Sequence, residues 1–184
     1  MKNFKKGSTR NAYGIPASNA SYSDAGWAVA GGFTLIELLV VVAIVGLLAS
    51  ITMGYLSSAR KKGNDTAVKA NLSTVRSVGE IFYVSNSNSY LPSGGVNVTG
   101  TCPTIYNTPG TDMFSKDKAI FSAVVEAVKR GNGSSCYNSA NFWAVAVGLS
   151  MTANTSWCVD NQGIAKVVNS LPSGAINPVT FLCN

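Results

Sequence analysis

The chain has 184 residues, of which 46% are hydrophobic and only 12% charged, with a formal net charge of +6. That balance is too apolar for a disordered chain and too sparsely charged for an ordinary cytosolic enzyme, and the length suits one domain with appendages. Histidine is absent, which excludes Ser-His-Asp and Cys-His catalysis, histidine-ligated metals and an imidazole pH switch.

Residues 1–30 are polar and weakly basic, with Lys2, Lys5, Lys6 and Arg10. Gly31-Gly32 follow, and then the apolar run begins. From Leu38 to Ala59 there are 22 residues without a charge. At ~1.5 Å per residue such a helix rises roughly 33 Å, enough to cross a hydrocarbon core of ~30 Å. Leu, Ile, Val, Ala and Met surround its whole circumference, unlike a surface helix with one polar face. A buried core helix is a poor alternative, because the remaining chain could hardly surround it. A secretory signal peptide would place its small-residue cleavage site after the apolar stretch. Here the order is reversed, so a cut at the glycines would leave the helix on the mature protein.

Glu37 is a lone carboxylate inside FTLIELLVVVAIVG. An acid at membrane depth costs on the order of 2.5–3.5 kcal/mol on insertion scales, so it calls for a partner. No Lys or Arg lies within a turn or two. A cut after Gly32 would give Phe33 a free α-amine, a cation with a pKa of ~8, four residues from Glu37. That amine, or the one on a neighbouring molecule, can neutralise the carboxylate.

The stretch Gly32-Phe33-Thr34-Leu35-Ile36-Glu37-Leu38-Leu39-Val40 resembles the processing and assembly signature of type IV prepilins and the related pseudopilins. The resemblance covers about Gly31 to Met53. It implies that a membrane-embedded prepilin peptidase cleaves between Gly32 and Phe33 and N-methylates Phe33. It implies that Glu37 pairs with the terminal amine of an adjacent subunit during assembly. Gly46 stands where family helices lose regular structure inside the filament, and Gly54 where many members carry a kinking proline. The leader is long, as in the type IVb group, whereas Phe33 is the first residue of the type IVa group. No Lys or Arg adjoins the cleavage glycine.

Beyond the span, Val68, Leu72, Val75, Gly79 and Phe82 recur at helical spacing and form one apolar stripe. The expected organisation is therefore a removed leader over 1–32, a membrane and filament-core helix over 33–59, its amphipathic continuation over 60–84 and a globular head over 85–184. Gly63-Asn64 is a possible break in the helix. Residues 85–111 are rich in Ser, Asn, Gly, Pro and Thr and read as loop. Ser115 is a candidate cap for a second helix burying Ile120, Phe121, Val124, Val125 and Val128, with Gly131 beyond its end. Phe142 to Val147 reads as a buried strand. Ser156 to Asp160 and Ile164 to Val168 read as a hairpin around Asn161-Gln162-Gly163, and Pro178 to Leu182 as an edge strand. The fold class is α+β. The pilin-like arrangement, a long N-terminal helix packed on a small antiparallel sheet, matches the family in outline.

All four cysteines, Cys102, Cys136, Cys158 and Cys183, lie beyond the helix, an even number that suits disulfides in an oxidising exterior. Successive gaps of 34, 22 and 25 residues lack the close pairs of a zinc site. Four cysteines allow three pairings. The resemblance, through the tied-back C-terminal loop of pilins, favours Cys158–Cys183 and leaves Cys102–Cys136. It also implies that the head lies outside, as the cysteines do. The cations Arg60, Lys61 and Lys62 by themselves favour the opposite orientation.

Loss of residues 1–32 leaves ten basic and seven acidic residues, and no basic stripe interleaved with aromatics marks nucleic-acid binding. Asp160 with Asn161 is too poor in carboxylates for calcium, and a hairpin turn accounts for both. Asp112 and Asp117 fit a helix-dipole role. The triplets at Asn71 and Asn97 match the glycosylation sequon, a pattern frequent by chance. No cofactor, metal site or enzymatic constellation emerges. The function implied is a structural filament subunit whose partners are copies of itself, the prepilin peptidase, the inner-membrane pilus assembly machinery and, before assembly, the membrane. The alternatives are a pseudopilin of a type II secretion or DNA-uptake system and a signal-anchored surface binding domain.

Overall fold

The computed structural model describes residues 32–107 and 112–184. The leader, apart from Gly32, lies outside the described residues. Backbone contacts divide the chain into two units, residues 1–44 and 45–184, with the boundary inside the first helix.

That helix, α1, runs from Leu35 to Ser85. Its earlier part has nothing but apolar, small or hydroxyl side chains after Glu37. Two of its hydroxyls turn back onto the helix: Ser50 Oγ donates to the Leu47 carbonyl and Thr52 Oγ1 to that of Ala49. This satisfies them without water, as an apolar surrounding requires. The anticipated break at Gly63-Asn64 does not occur, and α1 passes through both residues without interruption. Further on, Val68, Leu72, Val75 and Gly79 are buried and Phe82 is half-buried, the stripe that the periodicity predicts.

The stripe packs on one face of a five-stranded antiparallel sheet whose strands follow chain order. They are β1 (Val98–Gly100), β2 (Ser134–Asn138), β3 (Trp143–Gly148), β4 (Ser156–Asp160) and β5 (Ala165–Val168). The central strand β3 is buried along its whole length. Its side chains alternate between two cores, as strand geometry demands. Trp143, Val145 and Val147 join the α1 stripe, while Ala144 and Ala146 join Tyr137, Cys158, Ala175 and Ile176 on the opposite face. Trp143 is the largest fully buried side chain and meets the rings of Tyr90 and Phe114 edge-on. Gly79 lets it lie against α1: a Cβ there would stand 3.3 Å from the indole ring.

Two short helices, α2 (Met113–Lys116) and α3 (Lys118–Arg130), precede the sheet's second strand. Here the expected cap is displaced. Asp112 caps α2 by accepting from Ser115 N, and Asp117 caps α3 by accepting from Ala119 N and Ile120 N. Ser115 is buried inside α2, donating through its hydroxyl to the Asp112 carbonyl. A carboxylate is a stronger acceptor for unpaired helix amides than a hydroxyl, and it matches the positive end of the dipole. The buried face of α3 is Ile120, Ala123, Val124 and Ala127; Phe121, Val125 and Val128 are only half-buried.

Two other expectations are corrected. The region 85–111 is not all loop, since β1 lies within it and pairs with β2, Gly100 opposite Cys136. The segment Pro178–Leu182 is not a strand. Asn177 Oδ1 accepts from Val179 N and Thr180 N, and Phe181 takes a φ of 59°, so the chain closes a tight loop. Only an isolated bridge between Ile176 and Cys183 remains there, after the one-turn helix α4 (Pro172–Ala175). The β4–β5 hairpin is as expected, and Gly163 supplies its turn with a φ of 94°.

Polar groups hold the loops in place. The Asp65 carboxylate of α1 accepts from Ser150 N at 2.6 Å and from Met151 N at 3.2 Å, which binds the β3–β4 loop to the helix. Asp160 is fully buried and accepts from Gln162 N, Ile164 N and Cys183 N. Tyr90 Oη donates to Glu80 Oε1 at 2.8 Å.

Asp65→Ala leaves two loop amides without their acceptor and is expected to lower unfolding stability by about 1–3 kcal/mol; a denaturant midpoint followed by tryptophan fluorescence checks this. Burial, with the nearby Glu80 carboxylate adding to it, pushes the Tyr90 phenol up to about 12 from its usual 10.0. The folded state thus favours the protonated phenol, so this contribution is intact below pH ~10 and is lost as pH rises towards ~12. The melting temperature of the wild type is expected to fall more steeply over that window than that of Tyr90→Phe.

Candidate processing and assembly site

The junction that the sequence marks for cleavage is exposed and precedes the first helical turn. Gly32 and Phe33 lie outside any regular element, and the Phe33 side chain is 90% exposed. Thr34 occupies the position just before α1. Its hydroxyl accepts from Glu37 N at 3.3 Å, while its own N–H and hydroxyl donate to Glu37 Oε2 at 2.9 and 2.8 Å. This is a reciprocal capping box, which satisfies two of the helix's free amides at once. The carboxylate therefore has a partner within the chain. Sequence reasoning missed it, although Thr-x-x-Glu ahead of an apolar run is its signal.

Around this pair the surface is apolar. Phe33, Ile36, Val40 and Val41 line a shallow groove with Glu37. The helix beyond is long and apolar enough to cross a membrane, with a mean hydropathy of 2.6 over its best 18 residues and none of them buried. Left in water, each such Leu, Ile or Val would forgo about 1.5–3 kcal/mol of burial. A surface of this kind needs lipid or other apolar helices around it. Gly46 and Gly54 lie within it, both exposed and both inside continuous helix.

The other predicted site residues lie in the head. Cys102 bonds to Cys136 and Cys158 to Cys183, the pairing that the resemblance favours. All four thiols are thereby used, which removes the zinc alternative. The two bridges sit on opposite faces of the sheet: Cys136 belongs to the core under α1 and Cys158 to the core under the C-terminal segment. Closing loops of 34 and 25 residues stabilises the head by roughly 3–4 kcal/mol each in the chain-entropy picture.

Residues 28–53 match the prokaryotic N-terminal methylation motif. A protein of Thermus thermophilus described as type IV wide pilus major component PilA4 is 48% identical to this chain over 61 residues. Both matches point to type IV pilins, and both lie in a part of the chain. The aligned part is 33% of this chain and 46% of that relative, so the match spans just under half of the relative's length. No solved structure matches the chain significantly. Its α+β architecture, a long helix on an antiparallel sheet, is pilin-like. Gly32, Phe33, Thr34 and Glu37 form one compact group, whereas Gly46, Gly54 and the cysteines stand apart from it.

Thr34→Ala is expected to loosen the start of α1 by about 1 kcal/mol, whereas Thr34→Ser preserves it. Hydrogen exchange of the amides of residues 34–38, with the full chain in micelles, would quicken about fivefold in the alanine variant alone.

Proposed function

We propose that this chain is a structural subunit of a type IV pilus, held in the membrane as a precursor and then assembled through the apolar part of α1. It performs no reaction of its own and is instead the substrate of a prepilin peptidase, which removes residues 1–32 and N-methylates Phe33. The observation that carries this reading is an exposed Gly32-Phe33 junction directly ahead of the Thr34–Glu37 capping box and an apolar stretch of α1 with no buried residue.

Cleavage changes the chemistry at that point. The Phe33 amide becomes an amine with a pKa of ~8, cationic at neutral pH. Before that event, Thr34 hydrogen-bonds the carboxylate and lowers the cost of carrying it into an apolar medium. Afterwards, the amine of an adjacent subunit offers a stronger, charge-assisted partner in the same low-dielectric setting. Glu37 then sets the register between neighbours, and the apolar side chains from Leu38 onward supply the contact area. Gly46 and Gly54 give the helix places to unwind or bend as it packs, because neither carries a side chain to lose. The disulfide-closed head faces the exterior, in keeping with an oxidising compartment. The assembly machinery of the inner membrane is the partner that moves the subunit from lipid into filament.

Mass spectrometry of the native protein is expected to find N-methyl-Phe33 as its first residue. Retention of Met1 would instead make it a plain signal-anchored protein. Glu37→Ala is expected to reach normal precursor levels in the membrane yet give at least tenfold fewer filaments by electron microscopy, the loss of about 1.4 kcal/mol or more per subunit. Wild-type filament yield would refute the role given to Glu37.

A further inference from the structure

We propose that Arg60 and Lys61, with the groove that they line and the adjoining Lys62, bind the phosphate headgroup of an anionic phospholipid where the apolar part of α1 ends. The inference rests on the membrane-resident precursor described above.

Position comes first. The uncharged run ends at Ala59, and three cations follow without a gap, all exposed. Tyr55, 76% exposed, stands just before them, at the level where amphipathic rings sit between hydrocarbon and headgroups. Met53, Leu56, Ser57, Arg60, Lys61 and Asn64 share one helical face and line an open groove of about 530 Å³. Along the helix the groove changes from apolar (Met53, Leu56) to hydroxyl (Ser57) to cationic and amide (Arg60, Lys61, Asn64). A phospholipid presents the same order, from acyl carbon through glycerol ester to phosphate. Met53 and Arg60 are seven residues apart, about 10 Å along the helix, so both can be engaged by one lipid.

Charge is the second observation. Among the described residues the one ion pair is Lys129–Glu126. Every described Asp and Glu side chain already accepts a hydrogen bond from its own chain. Asp65, the acid nearest the triad in sequence, holds two loop amides, and Glu37 and Glu80 hold hydroxyls. Asp112, Asp117 and Asp160 are taken up by backbone amides. Among the described residues the triad thus has no ion-pair partner and is open to an external anion. A guanidinium binds two phosphate oxygens at once and an ammonium adds a point charge, which suits a phosphodiester. A free phosphate would satisfy the cations and leave Met53 and Leu56 unused. A lipid uses both ends of the groove.

The test is native mass spectrometry of the full chain in neutral detergent, offered phosphatidylglycerol or phosphatidylcholine. We expect about tenfold more retained phosphatidylglycerol than phosphatidylcholine, from three juxtamembrane cations acting on one anionic headgroup. R60Q/K61Q/K62Q is expected to bring the two lipids to parity. K118Q/R130Q/K166Q removes the same charge from the head and is expected to keep the preference, and excess inorganic phosphate should leave the lipid bound. Equal retention of both lipids by the wild type would overturn the proposal. So would an unchanged triad variant, an equal loss in the head variant, or displacement of the lipid by phosphate. Carbonate extraction of cells separates the two readings. Chain in the soluble fraction contradicts membrane residence itself, whereas chain in the membrane without lipid preference contradicts the headgroup site alone.

Discussion

One unbroken helix has to be soluble in two media, and the rest of the molecule is arranged around that demand. Over its early turns α1 is apolar but for a few hydroxyls, of which those of Ser50 and Thr52 turn back onto its own backbone. Over its later turns it offers a single apolar stripe, Val68 to Gly79, to a sheet. The change occurs within a few residues of Arg60. Before it, burial must come from lipid or other molecules. After it, the chain supplies its own cover, with Trp143 lying against the glycine that makes room for it.

The sparse carboxylates are used almost wholly as anchors. Asp112 and Asp117 begin helices, Asp160 ties the hairpin turn to the C-terminal segment, and Asp65 ties the β3–β4 loop to α1. In a head of this size such anchors matter, because a small core covers only part of the entropy lost on ordering long loops. The disulfides complement them, one on each face of the sheet. A consequence is a surface on which cations outnumber free acids, although the net charge of the chain is modest.

Much of this was legible in the residue order. The apolar run, the 3.6-residue stripe and the β4–β5 hairpin follow from periodicity and turn chemistry, which act locally. The Gly32–Glu37 group was legible as a motif but not in its geometry. Thr34 carries no charge, so a search for Glu37's partner by charge does not reach the hydroxyl one turn away. Strands β1 and β2 were not legible. VTG and SSCYN are short and set among Ser, Asn and Gly that read as loop, and the pairing of β1 with β2, of β2 with β3 and the Cys102–Cys136 bridge hold them there. The cap of α3 is Asp117 and not the expected Ser115, because both residue types cap well and only the path of the chain separates them.

Local order thus dictated the elements whose formation needs no distant partner: the continuous helix, its apolar early half and the motif at its start. Long-range contact settled everything that required two remote segments to meet. Asp65 became a loop anchor because Ser150 N and Met151 N arrive beside it from 85 and 86 residues away. The segment after Pro178 became a closed loop because Asn177 captures its amides and the Cys158–Cys183 bridge holds its end. Periodicity records which side of an element is apolar; it carries no record of what will lie against that side.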